Sequence, residues 1–161
     1  MKSILIFIFM TLVVSCENAT DESKKFIGKW HDTEYSIPNT GFIEIKSDST
    51  FYYRSAGCGW RSISKGSWKL YNDTIELSSG KIDTCYYTFP FVQCVEFGEF
   101  VKRGKTISDC SPEVGIDFLE FTNERFYLRN DTLMYSNDKN LKCLDSSKIM
   151  LAKTMKIKKR V

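Results

Sequence analysis

The chain has a single histidine, His31, only three prolines, and no Cys-x-x-Cys pair among its six cysteines. Each scarcity removes a class of function. With one histidine, a nucleophile–base pair has only His31 to build on, oriented by Asp32 or Glu34. The plainer reading, an exposed histidine at the end of a strand, is the one adopted, and no enzyme is expected. No cysteine spacing matches a thiolate metal site, and His31 is remote in sequence from every cysteine, so no metal or other cofactor is implied. Gly57, Gly59 and Gly66 lie among strand-forming residues, not ahead of a helix, which excludes a phosphate cradle. The acid pairs Glu96/Glu99 and Glu120/Glu124 accompany no motif and read as solvated strand faces. Charge of one sign is also missing: 23 basic residues stand against 20 acidic ones, a balance that argues against nucleic acid. After the first fifteen residues no convincing apolar stripe at helical spacing occurs, although residues 137–152 have room for one short helix.

What is present begins at the first residue. Met1-Lys2 is a short positive segment, and residues 3–14 form a nearly unbroken apolar run. A bilayer-spanning helix needs about 20 apolar residues, so this run reads as a secretory signal and not as a membrane span. Ser15 is a small residue at the expected cleavage position, and Cys16 follows it. The run Leu12-Val13-Val14-Ser15-Cys16 resembles the bacterial lipobox, although leucine is commoner three places before the cysteine. That resemblance implies acylation of Cys16, removal of residues 1–15, and a membrane anchor; two or more buried acyl chains make such an anchor stable. Residues 16–25 are then a lipidated polar tether, and 26–161 one domain. The 146 residues left after cleavage are enough to enclose a single core. Glu17, Asp21 and Glu22 loosely resemble the acidic display signal of Bacteroidetes-type lipoproteins. Both the periplasmic face of the outer membrane and the cell surface therefore remain open as locations.

Within the domain the clearest signals are two related hairpins. Lys65 to Ser78 reads as strand, Asn72-Asp73 turn, strand, and the pattern returns as Phe126 to Tyr135 around Asn130-Asp131. Alternation places Ile43 and Ile45 on one face against Phe42 and Glu44, and Phe51 and Tyr53 on one face against Tyr52 and Arg54. Pro90 belongs at a strand end or edge, since it cannot donate to a ladder. Residues 102–115 are the least regular and suit a long loop over one end of a barrel. Trp60, within Ala56-Gly-Cys-Gly-Trp60, is either a rim residue of a mouth or a lid on the core, and the lid is preferred.

Gly28-Lys29-Trp30 fits the Gly-x-Trp signature of lipocalins and of small lipocalin-like bacterial lipoproteins. The order that follows over residues 26–78 (strand, Asp-containing turn, aromatic strand, then Gly66-Ser67-Trp68 and a hairpin) resembles the same pattern. The second half matches through Asn130-Asp131-Thr132-Leu133 and a final strand. The resemblance implies an all-β fold, an antiparallel meander closing into an up-and-down barrel of about eight strands. It also implies that Trp30 plugs the closed end.

Two functions fit such a molecule. In one, the barrel binds a small apolar ligand or senses the state of the envelope, with Trp30, Phe51, Tyr53 and Trp68 lining or flooring a cavity. In the other, the same four aromatics are core, and a filled barrel acts as an interaction module or an accessory, inhibitor-like subunit on the outer membrane. Residues 79–82 and 102–115 would then carry recognition. Export to an oxidising compartment favours disulfides, and Cys85 and Cys94, close enough to face each other across a hairpin, are the first pair expected. The basic residues Lys153, Lys156, Lys158, Lys159 and Arg160 suit either anionic headgroups or the wet face of a last strand.

Overall fold

A computed structural model describes residues 21–33, 40–92, 94, 103–141 and 149–153. The lipobox, residues 1–20, Cys143 and the basic residues beyond Lys153 lie outside these. The architecture follows from its turns. Asn72 (φ 52°) links β4 (Trp60–Tyr71) to β5 (Thr74–Ser79). Asn130 and Asp131 (φ 49° and 57°) link β9 (Glu124–Arg129) to β10 (Thr132–Tyr135). Two-residue hairpins need a positive φ to match strand twist, and Asn and Asp tolerate it best after glycine. Between β2 (Thr40–Ile45) and β3 (Thr50–Gly57), Asp48 accepts hydrogen bonds from Thr50 N at 3.0 Å and from Thr50 Oγ1 at 2.6 Å.

With β1 (Gly28–Asp32) and β11 (Met150–Ala152), these strands close a ring: β1-β2-β3-β4-β5-β9-β10-β11 and back to β1, every pair antiparallel. This is the eight-stranded barrel expected from the sequence. One helical turn, α1 (Asp21–Lys24), precedes it; Ser23 is buried, so the end of the expected tether packs onto the barrel. Residues 142–148, at the centre of the stretch given room for a helix, lie outside the described residues; its described part contains β11. The two ends of the barrel differ. One carries α1 and the short turns at 46–49, 72–73 and 130–131; the other carries the connections 33–39, 80–123 and 136–149.

Alternation sets the core. Trp30 pairs with Ile43, Ile43 with Tyr53, Trp68 with Leu77, Ile75 with Phe126, and Leu133 with Leu151, and all of these side chains point inward and are buried. A one-residue slip would turn each set to solvent. Gly66 is required by a close approach: a Cβ there would collide with the carbonyl oxygen of Ser78.

The excursion 80–123 departs from a simple meander. β4 is twelve residues long, and β5 covers only its second half from Gly66 onward. Along Arg61–Ile63 its free edge takes up β8 (Ile116–Glu120) in parallel. β8 in turn pairs in parallel with β6 (Tyr87–Pro90), and β6 pairs with β7 (Gly104–Lys105). A side lobe thus extends the barrel wall. The irregular stretch expected as a loop contributes the lobe's edge strand, and residues 121–123 are a link, not a hairpin, because β8 and β9 are not neighbours. Pro90 ends β6, as its missing donor demands.

The cysteine pairing differs from expectation. Cys85 bonds to Cys110, not to Cys94. The reason is topological: antiparallel pairing of β6 with β7 brings the residue before one strand beside the segment after the other, with Tyr87 opposite Lys105. Cys94 is itself disulfide-bonded, and among the described cysteines Cys58 is the free one, exposed at the β3–β4 turn.

Candidate functional site

The four aromatics weighed either as cavity lining or as core are buried in the hydrophobic core. Trp30 is 1 %, Phe51 2 %, Trp68 6 % and Tyr53 9 % exposed, within one cluster that also holds Phe26, Phe121, Phe126 and Tyr135. Their polar atoms are matched locally: Trp30 Nε1 donates to the Phe26 carbonyl at 2.7 Å and Trp68 Nε1 to the Lys46 carbonyl at 2.8 Å. Both bonds sit at the end with short turns, where the Lys153 ammonium lies 4.9 Å from the Trp30 ring centroid. Toward the other end, Phe91 from the excursion stacks on Phe121 at 4.1 Å and reaches Tyr53, Phe126 and Tyr135 at 5.8–5.9 Å. The excursion therefore delivers an aromatic ring into the core.

The inward positions near this end become polar. Asp32 follows Trp30 by two residues on β1 and so points inward; a Cβ on Gly41 would collide with its carboxylate. Burial holds the Asp32 carboxyl above its ordinary range. Desolvation likewise raises the Tyr53 phenol to about 12, with the Asp32 charge acting in the same direction. Ser55, Ser62 and Ser64 are buried, and Ser64 Oγ lies 2.8 Å from Ser79 Oγ. Asp117 on β8, opposite Ser62, is also pushed up by desolvation.

Glu124 was expected on a solvated face. It is 2 % exposed, accepts a 2.6 Å hydrogen bond from the Tyr135 hydroxyl, and pairs with Lys139. The signal was in the parity: Glu124 stands two residues before Phe126 on β9 and shares its inward face. By contrast Glu76 points outward between Lys69 and Arg125, at 3.0 and 3.1 Å, and hydrogen bonding to Lys69 chiefly holds its carboxyl below the usual range.

His31 faces outward, its ring 6.0 Å from that of Phe42, with Nδ1 buried and without a hydrogen-bond partner. Desolvation, then the Lys29 charge, lowers its pKa. Asp32 projects to the opposite side of β1 and does not orient it. Glu34 lies outside the described residues. Among the described residues no three His, Cys, Asp or Glu side chains form a metal-holding group, and no helix is long and apolar enough to cross a membrane.

No known protein family, curated protein or solved structure matches this chain. The site must be read from its own geometry. Trp60, preferred as a lid, is instead a rim residue, 38 % exposed. It lines a cleft of about 310 Å³ with Arg61, Val114 and Ile116, and Val114 is 95 % exposed. The Arg61 amide donates to the Gly115 carbonyl at 2.9 Å, which ties the β3–β4 tip to the lobe. A second cleft, of about 390 Å³, lies between Ser79–Ile82 and Lys105, and a third, of about 220 Å³, between the outer wall and the segment before β6. All three lie outside the barrel core.

Proposed function

We propose that this protein is a lipid-anchored envelope component, tethered through Cys16 at the outer membrane, whose filled barrel serves as a scaffold for recognising a protein partner. The observation that carries the reading is the position of Phe91. With its ring stacked on Phe121, the aromatics that a ligand-binding barrel would leave around a cavity are packed against one another. What remains available is the exterior at the end opposite the short turns, where Trp60 and Val114 stand exposed beside each other. Exposed apolar side chains grouped in this way are a feature of interaction sites. The tether favours the same end. The chain enters the barrel through α1, at the end with short turns, so an anchor at Cys16 holds that end toward the membrane and presents the opposite end away from it.

The test has two arms. Cys16→Ala should move the protein from membrane to soluble fractions, and continued membrane association would refute the anchor. Cross-linking in the native host should capture a protein with the parent chain and lose it with Trp60→Ala/Val114→Glu. Native mass spectrometry that instead finds a small apolar molecule retained by the purified protein, and still retained by an Ile82→Trp variant whose outer cleft is filled, would return the function to ligand binding inside the barrel.

A further inference from the structure

Tyr52 on β3 and Ile63 and Lys65 on β4 all point away from the barrel core. Facing them are Ile82 and Tyr86 from the segment ahead of β6, and Phe118 on β8 lies at the base. Together they line the 220 Å³ cleft, the smallest of the three described. Ile82 and Phe118 are 8 % and 4 % exposed, so its apolar base is supplied by residues held in place.

The segment before β6 is braced twice. The Cys85–Cys110 disulfide ties it to the segment after β7. Thr106 clamps it from both sides, its hydroxyl donating to the Thr84 carbonyl at 2.6 Å and accepting from the Tyr86 amide at 2.9 Å, while its own amide donates to the Tyr86 carbonyl at 3.0 Å. A cleft with such walls exists before any ligand arrives, so little ordering cost falls on binding.

Its chemistry is one-sided. Two tyrosines, a phenylalanine and two isoleucines line it together with Ser64 and Thr84, and Lys65 is the one charged residue among them. Lys65 is exposed and has no ion pair among the described residues. An apolar cavity of about 150 Å³ accommodates a benzene-sized ring, and this cleft is larger. We propose that it binds a small planar aromatic carboxylate, the ring between Tyr52, Tyr86 and Phe118 and the carboxylate on the Lys65 ammonium. The barrel is then a support for a small-molecule site on its outer wall, and its filled interior is no obstacle to binding.

The probe is indole-3-acetate, with neutral indole as control, titrated against the full chain by ligand-observed NMR. Saturable binding of indole-3-acetate is expected. Lys65→Gln should weaken it about fivefold, as loss of a partly exposed ion pair does, and leave indole unchanged. Lys81→Gln, on an exposed lysine outside this cleft, should change neither, and Ile82→Trp should abolish both by filling the space. Absence of saturable binding, equal losses in the two lysine variants, or survival of binding in a folded Ile82→Trp protein would overturn the assignment. If Ile82→Trp fails to fold, Lys65→Gln measured against the indole control decides it alone.

Discussion

Replacing Phe91 by alanine tests whether the excursion completes the barrel core. A fully buried phenylalanine costs about 3–5 kcal/mol when truncated to alanine. Phe91 is only partly buried, which reduces that figure, but its ring meets four other aromatics, and such pairs add about 0.5–1.5 kcal/mol beyond area burial. The expected loss is about 2–3 kcal/mol. In urea this appears as a lower midpoint with an unchanged slope, because the surface exposed on unfolding is nearly the same. On heating, the midpoint should fall by about 5–10 °C for a chain of this size. A loss below about 0.5 kcal/mol, the range of ordinary surface substitutions, would mean that Phe91 does not occupy the core. The filled-barrel argument would then fail with it.

Asp32 makes a pH prediction. Burial raises its folded-state pKa above the ordinary 3.8, so the folded protein binds this proton more tightly than the unfolded chain does. Its contribution is therefore favourable below the ordinary value and is lost as pH rises through the folded one. Asp32→Asn should raise the urea midpoint at pH 7 and leave it unchanged at pH 3; a lower midpoint at pH 7 would reveal a favourable partner for the carboxylate. The Cys85–Cys110 bridge closes a loop with a separation of 25 residues. Replacing both cysteines by serine should cost about 3 kcal/mol by chain entropy, with hydrogen-exchange protection lost first at β6 and β7. Uniform loss across the barrel would show instead that lobe and barrel open together.

Much of the barrel was legible because its determinants are local. Asn72, Asn130 and Asp131 announce hairpins through a backbone angle few residues accept. The alternation of Ile43, Ile45, Phe51 and Tyr53 sets which face is buried without reference to distant chain. The side lobe was not legible for the opposite reason. Its parallel pairings depend on β4 outrunning β5 beyond Gly66, a difference in length between strands that neither strand encodes alone. The disulfide followed the lobe: the spacing of Cys85 and Cys94 suggested a hairpin, whereas Phe89 and Pro90 continue straight along β8. At the site, Trp30, Phe51, Tyr53 and Trp68 were identified as inward, but whether inward means cavity or core depended on Phe91, which arrives from a distant segment. Glu124 was overlooked because its charge outweighed its parity with Phe126.

The ring of strands has a consequence for how the protein is made. β11 contributes three residues, and among the described residues they are the sole bridge between β10 and β1. Until Met150–Ala152 are delivered, both of those strands present unpaired backbone to their surroundings, and the antiparallel partner of residue 31 lies 121 positions further along the chain, at residue 152. Contacts so distant in sequence form slowly, and open strand edges invite pairing with other chains. The nascent protein must therefore be held apart from its neighbours until its final strand arrives, and then sealed in one late step. Truncation ahead of residue 150 leaves a sheet with two adhesive borders.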